Sequence, residues 1–314
     1  MEDIDSVLQK RANGQYYTRG NPFQNKPFLD WAELAGLPRQ RILEPFAGSN
    51  NLITMLDRMR LCQNFESFDI HPTNTQVKQR DTLLCFPKGY EVCVTNPPWL
   101  AKNSATARGL DFPHCRYDDV YKFAIEKCLA NCSFVAAVIP ESFITSNLFL
   151  DRLQSFVSLT RNMFNDTDHP VGLALFGPNE AEIIDVWSGI THVGGLRELK
   201  QERPLATVNG PSVRFNVPDG NVGLFAVDNT REASIRFCEA NEVEKYEIKQ
   251  TSRAISRLEV DGVVRIREWN QALNDFREKT SDVLLTSFKG IRDDGKYRRR
   301  LDWSLARGLI HHVG

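Results

Sequence analysis

The chain has 314 residues, 41% of them hydrophobic and 25% charged, which supplies enough apolar mass for one substantial core and a smaller second module. No apolar run approaches the roughly 20 residues that cross a bilayer, so no membrane span is expected, and the acidic start Met1-Glu2-Asp3-Ile4-Asp5 is the opposite of a secretory signal and predicts a cytoplasmic protein. The net charge of −1 hides an asymmetry: residues 1–188 hold 18 basic against 22 acidic side chains, residues 189–314 hold 21 against 18.

A polyanion is therefore expected to meet the second part first, at its densest basic stretch: Lys289, Arg292, Lys296, Arg298, Arg299 and Arg300. The same stretch also reads as a solvated face diluted by Asp293 and Asp294. The seven cysteines are scattered and lack Cys-x-x-Cys spacing, so they are expected to be reduced packing residues, with no metal site.

In chain order, Arg41 to Leu43 reads as the first strand. It runs into Glu44-Pro45-Phe46-Ala47-Gly48-Ser49-Asn50-Asn51, a tight turn and a helix start. Gly48 permits close backbone approach, and Ser49, Asn50 or Asn51 is a candidate cap for a helix over 51–60, whose Leu52, Ile53, Leu56 and Met59 recur at helical spacing. The free amides of such a helix start favour a polar or anionic group. Because Gly-x-Gly-x-x-Gly is absent, a dinucleotide pyrophosphate is not the obvious ligand.

Phe65 to Asp69 is the second strand, ending in an acid 21 residues after Gly48, where ribose hydroxyls are commonly held. Asp81, 12 residues further on, is placed to accept from an amine, with Leu83 or Leu84 lining the ligand's face.

Glu91 to Thr95 is the next strand, and it ends in Asn96-Pro97-Pro98-Trp99. Two prolines stop the strand rigidly and remove amide donors, so the turn presents fixed carbonyl oxygens and the Asn96 side chain at the sheet edge. Two acceptors, the Asn96 side-chain oxygen and the Pro97 carbonyl, suit a planar amine whose lone pair is delocalised into a ring. A flat Trp99 offers a stacking face for an extruded base; the alternative is an ordinary turn with Trp99 as a core residue. Val120 to Ala130 follows as a helix, Phe134 to Pro140 and Gly172 to Phe176 as strands.

Strands alternating with helices predict an α/β doubly wound sheet, with ligands beyond the carboxyl ends of its strands. Past Trp187 turn formers become closely spaced. Ser212 to Val217 and Val222 to Val227 are expected as strands, Arg231 to Ala240 and Glu268 to Lys279 as helices, giving a smaller mixed α/β module over 189–314.

Taken together, these motifs resemble the N6-adenine-specific DNA methyltransferases of the Asn-Pro-Pro-aromatic type with the cofactor motif before the catalytic motif, as in many type II restriction-modification systems. Gly14-Gln15-Tyr16-Tyr17-Thr18 is similar to that family's N-terminal segment, Glu44 to Gly48 to its glycine loop, and Asn96, Pro97, Pro98 and Trp99 to its catalytic tetrad. Residues 119–123 and 134–140, and Phe164 with 171–176, resemble its later helix, strand and last hairpin, so the likeness covers roughly 14–180.

The resemblance implies a Rossmann-like catalytic domain over 1–188 and a target-recognition module over 189–314. It implies S-adenosyl-L-methionine as cofactor, held by Tyr16, Tyr17, Thr18, Glu44, Phe46, Ala47, Gly48, Asp69, Asp81 and Asn96. Its further implications are double-stranded DNA as partner, a cognate restriction endonuclease as genetic partner, and a monomer or weak dimer. The same tetrad also serves methyltransferases acting on RNA adenine or protein glutamine, and a non-catalytic DNA-binding subunit would retain the same fold.

Overall fold

The computed structural model describes residues 18, 20–160, 163–164 and 168–313. The chain forms two compact units, Met1–Thr191 and His192–Gly314.

The first described helix, α1 (Lys26–Leu34), starts where the Asn25 side chain accepts the Phe28 amide at 3.0 Å. It buries Phe28 and Trp31, and the Trp31 indole N–H donates to the Phe176 carbonyl at 2.9 Å. The chain then runs β1 (Arg41–Glu44), α2 (Asn51–Arg58), β2 (Asn64–Asp69), β3 (Val77–Gln79), β4 (Val92–Thr95), α3 (Lys102–Arg108), α4 (Val120–Asn131), β5 (Phe134–Pro140), β6 (Leu153–Ser158), β7 (Val171–Phe176) and β8 (Asp185–Ser188). It leaves the unit through β9 (Thr191–Gly195).

The sheet is ordered β3-β2-β1-β4-β5-β7-β6-β8, and β3, β2, β1, β4 and β5 are mutually parallel. The central strands are apolar runs without alternation: Ile42 and Leu43, Val92 to Val94, and Val135 to Ile139 are all 0% exposed. Such runs need cover on both faces, which parallel sheets with crossover helices provide. This is the Rossmann-like α/β arrangement expected from the alternating pattern.

The sheet departs from a purely parallel one at β7, which runs antiparallel to both β5 and β6. Gly172 on β7 has a specific role, because a Cβ there would meet the Phe156 ring of β6 at 2.1 Å. The strand order turns back between β1 and β4, so the crevice beyond their carboxyl ends is the switch point at which open α/β sheets bind ligands.

The second unit contains α5 (Leu196–Gln201), strands β10 (Val213–Phe215), β11 (Val222–Phe225), β12 (Arg236–Glu239) and β13 (Ile255–Val260), helix α6 (Ile266–Thr280), hairpin strands β14 (Thr286–Ile291) and β15 (Tyr297–Arg300), and helix α7 (Trp303–His312). The antiparallel sheet runs β10-β13-β11-β12. On α6, Trp269, Leu273 and Phe276 are buried, and Trp269 meets Phe237 of β12 edge-on at 5.6 Å.

The helix expected over 231–240 is not formed: Arg236–Glu239 is a strand, with Phe225 opposite Arg236 and Leu224 opposite Phe237. Phe237 and Cys238 are buried between exposed Arg236 and Glu239, a short apolar pair that the ladder with β11 holds extended.

The basic stretch 289–300 is also not the open cationic face that composition suggests. Arg292 and Arg299 are each 4% exposed. Asp228, 0% exposed, accepts from Arg277 at 2.9 Å through both oxygens, from Arg292 at 2.8 Å and from the Arg299 amide at 3.1 Å. Burial works to raise the Asp228 carboxyl, but its arginine partners hold it below its ordinary value. Burying a cation without a partner is costly, and this network supplies the partners of Arg277 and Arg292.

Candidate functional site

Four sequence motifs lie at the carboxyl ends of four adjacent parallel strands: 44–51 after β1, Asp69 ending β2, Asp81 after β3, and 96–99 after β4. They are brought together by hydrogen bonds between the connecting loops. The Thr82 hydroxyl donates to the Pro45 carbonyl at 2.8 Å, the Ala47 amide to the Phe68 carbonyl at 2.8 Å, and the Gly48 amide to Asp69 Oδ2 at 2.8 Å.

The turn after β1 uses two left-handed residues, Gly48 at φ 51° and Asn50 at φ 65°. Asn50 occupies the cap position of α2, but its side chain does not cap the helix; instead its Oδ1 accepts the Ser67 hydroxyl at 2.7 Å. The capping expectation is corrected in that respect: the fold spends the asparagine on β2, and the helix start is left without a side-chain cap.

A cleft open to solvent is lined by Thr18, Glu44, Phe46, Ala47, Ser49, Asn51, Leu52 and Asn96. Five of the predicted cofactor residues, Thr18, Glu44, Phe46, Ala47 and Asn96, share this cleft. Gly48 adjoins it in the same loop. Tyr16 and Tyr17 lie outside the described residues.

Asp69 is half-buried, and its carboxylate already accepts the Gly48 amide on Oδ2 and the His71 amide on Oδ1, each at 2.8 Å. Each oxygen retains a lone pair for a hydroxyl donor. Asp81 Oδ1 accepts the Leu83 and Leu84 amides at 3.0 and 3.1 Å, so part of its capacity closes a turn.

Glu44 is the electrostatic centre. It is 1% exposed, and its Oε1 accepts both the Thr95 hydroxyl at 2.7 Å and the Phe46 amide at 3.1 Å. Burial pushes its carboxyl up to about 8 against the opposing pull of those two donors, so at neutral pH the group is predominantly the neutral acid. Through Thr95 it is linked to the residue next to Asn96.

Asn96 is half-buried and faces the cleft, Pro97 is buried and Pro98 half-buried. Trp99 is 8% exposed and packs edge-to-face with Phe164, centroids 5.0 Å apart at 85°. Little of the ring reaches solvent, so it stands as a core residue as well as the fourth member of the motif.

Sequence reasoning overlooked three residues that build the site. Thr95, 0% exposed, ties β4 to Glu44, and nothing in its sequence context marks it. Thr82 holds the β1 turn. Asp119 accepts the Leu100 amide at 3.0 Å and the Tyr121 amide at 3.3 Å, which anchors the segment after Trp99 to the start of α4. Burial raises the Asp119 carboxyl to about 6 against those amides. An acid directly before an apolar periodic run is a helix-cap signature, so Asp119 was legible as a cap though not as an anchor.

The residues fit the methionine end of S-adenosylmethionine on two counts. The Thr18 hydroxyl, 3% exposed and lining the cleft, has no hydrogen-bond partner among the described residues. The turn 47–50 brings bare backbone to the cleft at a helix start whose cap residue is engaged elsewhere. No group of three or more potential metal ligands occurs among the described residues, and no described helix is long and apolar enough to cross a membrane.

No protein-family model and no curated protein sequence matches the chain. Among solved structures it is similar to the type I restriction-modification system methyltransferase subunit from Streptococcus thermophilus, at 16% identity and a TM-score of 0.37, with 58% of this chain and 50% of that one covered. It is also similar to the M protein of the type I restriction enzyme EcoKI, at 13% identity and a TM-score of 0.38 over 93% of this chain and 69% of that one. A DrdV–DNA complex matches at 14% identity and a TM-score of 0.43 over 62% and 29%. The chain spans about half the length of the first modification subunits it matches.

Proposed function

We propose that this chain is an S-adenosylmethionine-dependent methyltransferase that methylates the N6 amine of adenine in DNA, with residues 1–188 as catalytic domain and 189–314 as the DNA-recognition module. The observation that carries the reading is the shared cleft beyond β1 and β4, in which Asn96 of the Asn-Pro-Pro-Trp turn lies beside Glu44, Phe46 and Ala47 of the glycine loop. The likeness to restriction-modification methyltransferase subunits accords with it.

Thr18, Glu44, Phe46, Ala47 and Gly48 would hold the amino-acid end of the cofactor, Asp69 the ribose hydroxyls and Asp81 the adenine amine. When bound, the cofactor supplies an electrophilic methyl group on a sulfonium. The Asn96 side-chain oxygen and the Pro97 carbonyl accept the two N–H bonds of the target amine, which localises the nitrogen lone pair for in-line attack. The nitrogen loses its extra proton to water after transfer, so no catalytic base is required. The target adenine is extruded from the duplex. Trp99, held by its edge-to-face contact with Phe164, backs it.

The test is incubation of the purified chain with methyl-labelled S-adenosylmethionine and, separately, duplex DNA, RNA and a protein extract, followed by nucleoside and amino-acid analysis. Label in N6-methyladenine from DNA supports the reading. Label confined to RNA adenine or to protein glutamine overturns the DNA assignment, and failure to bind the cofactor overturns the enzyme.

A further inference from the structure

The second unit carries an arginine–aromatic column apart from the buried Asp228 network. Trp303, the first residue of α7, stacks on Phe215 at the end of β10, with ring centroids 4.8 Å apart and 14° between planes. The Arg253 guanidinium lies 3.9 Å from the Trp303 ring centroid, and that of Arg307, one helical turn after Trp303, lies 5.4 Å from the Phe215 centroid. Arg253 is exposed and the other three residues are half-buried, so the column stands at the surface.

Neither arginine forms an ion pair among the described residues. Their hydrogen bonds go to backbone carbonyls, Arg253 to Ser252 at 3.2 Å and Arg307 to Val213 at 3.3 Å. Asp302, the acid next to Trp303, is engaged by Arg203 at 3.0 Å and by the Leu305 amide at 2.9 Å. Several other cations of the unit do have carboxylates: Arg236 pairs with Glu242, Lys279 with Glu202, and Arg277 and Arg292 with Asp228.

A guanidinium laid against a ring has its plane fixed, and its remaining N–H donors form a rigid fork that matches phosphate oxygens. The side-chain freedom that such a contact normally costs has already been surrendered to the fold. Two guanidinium groups without a carboxylate, carried on one stack, suit a ligand with repeated anionic charge. We propose that the Arg253–Trp303–Phe215–Arg307 column is a contact site for the phosphodiester backbone of duplex DNA, a proposal that rests on the reading of the chain as a DNA methyltransferase. Contacts of this kind set position on the duplex and give affinity without reading sequence.

The experiment is a fluorescence-anisotropy titration of labelled duplex DNA with the full chain, repeated over a series of salt concentrations. Arg253→Ala and Arg307→Ala each weaken binding several-fold and each lower the slope of log affinity against log salt by about 1. Arg253→Lys keeps the charge and loses the planar stack, so it restores the slope but only part of the affinity. Arg236→Ala, at a cation already paired with Glu242, leaves both unchanged. Because Arg253 is exposed, its alanine variant folds and carries the test even if Arg307→Ala is unstable. Wild-type affinity and slope in Arg253→Ala overturn the contact site and leave the enzyme reading standing, as does an equal loss in Arg236→Ala. A wild-type chain that binds S-adenosylmethionine but no duplex at low salt overturns the DNA reading and the contact site with it.

Discussion

Glu44→Gln is the substitution that most directly tests the electrostatics of the cleft. The carboxyl is 1% exposed and is raised from its ordinary value of 4.5 to about 8, chiefly by burial. Between those two values the folded chain holds a proton that the unfolded chain has lost. Stability from this group is therefore fully present below about 4.5 and is lost progressively as pH rises through about 8. Each pH unit inside the window removes about 1.4 kcal/mol, on the order of 5 kcal/mol across the whole of it. Glutamine keeps an acceptor for the Thr95 hydroxyl and the Phe46 amide but cannot ionise.

The assay is urea unfolding of wild type and variant, followed by tryptophan fluorescence at several values between about pH 5 and pH 8. The two chains are expected to be similar in stability at the acid end, with the variant gaining about 1 kcal/mol per pH unit towards the alkaline end. Taking the difference cancels every other titrating group. Parallel stability curves for the two chains across that range would refute the reasoning, because Glu44 would then ionise in the folded state as it does in the unfolded one.

Asn96→Ala removes a side-chain acceptor and is expected to abolish methyl transfer while leaving cofactor binding, measured by calorimetry, within a few-fold of wild type; Pro97→Ala keeps its carbonyl and is expected to lower transfer through a looser turn, and retention of normal transfer in Asn96→Ala contradicts the amine-gripping role. Asp119→Ala removes the acceptor for the Leu100 and Tyr121 amides. It is predicted to cost about 1 kcal/mol of stability as a lost helix cap and to lower kcat with little change in KM for cofactor, with Asp119→Asn restoring most of both; an unaltered kcat would mean that the anchor does not act on the tetrad. Asp228→Ala removes the carboxylate shared by Arg277 and Arg292, which keep Asp282 and Asp294, so the expected loss in chemical denaturation is about 3 kcal/mol, the low end for a broken buried pair. A loss under 1 kcal/mol, about that of an exposed pair, would show that the arginines find other partners.

The sequence by itself determined five strands of the first unit, β1, β2, β4, β5 and β7, and the order of its motifs, because each rests on local chemistry. Apolar runs without alternation mark β1, β4 and β5 as strands covered on both faces, and Gly48, Pro97 and Pro98 mark turns by the backbone angles they permit or forbid. The spacing of Gly48, Asp69, Asp81 and Asn96 could be read before any of them was placed at one sheet edge.

Only the tertiary structure decided what depends on contacts between distant segments. Thr95 reaches Glu44 across 51 residues, and burial in the core raises the acid to about 8 against the pull of that hydroxyl. Arg236–Glu239 becomes a strand because β11 offers it a ladder. Arg292, which looks like part of a polyanion site in the sequence, is drawn inward by Asp228 from 64 residues away, and the buried Arg299 guanidinium turns to the Ser287 hydroxyl. The exposed column at Arg253 and Trp303 is assembled from a loop, a strand and a helix that share no motif. Burial and pairing are properties of the folded neighbourhood, and sequence patterns report them only where the neighbour is nearby in the chain.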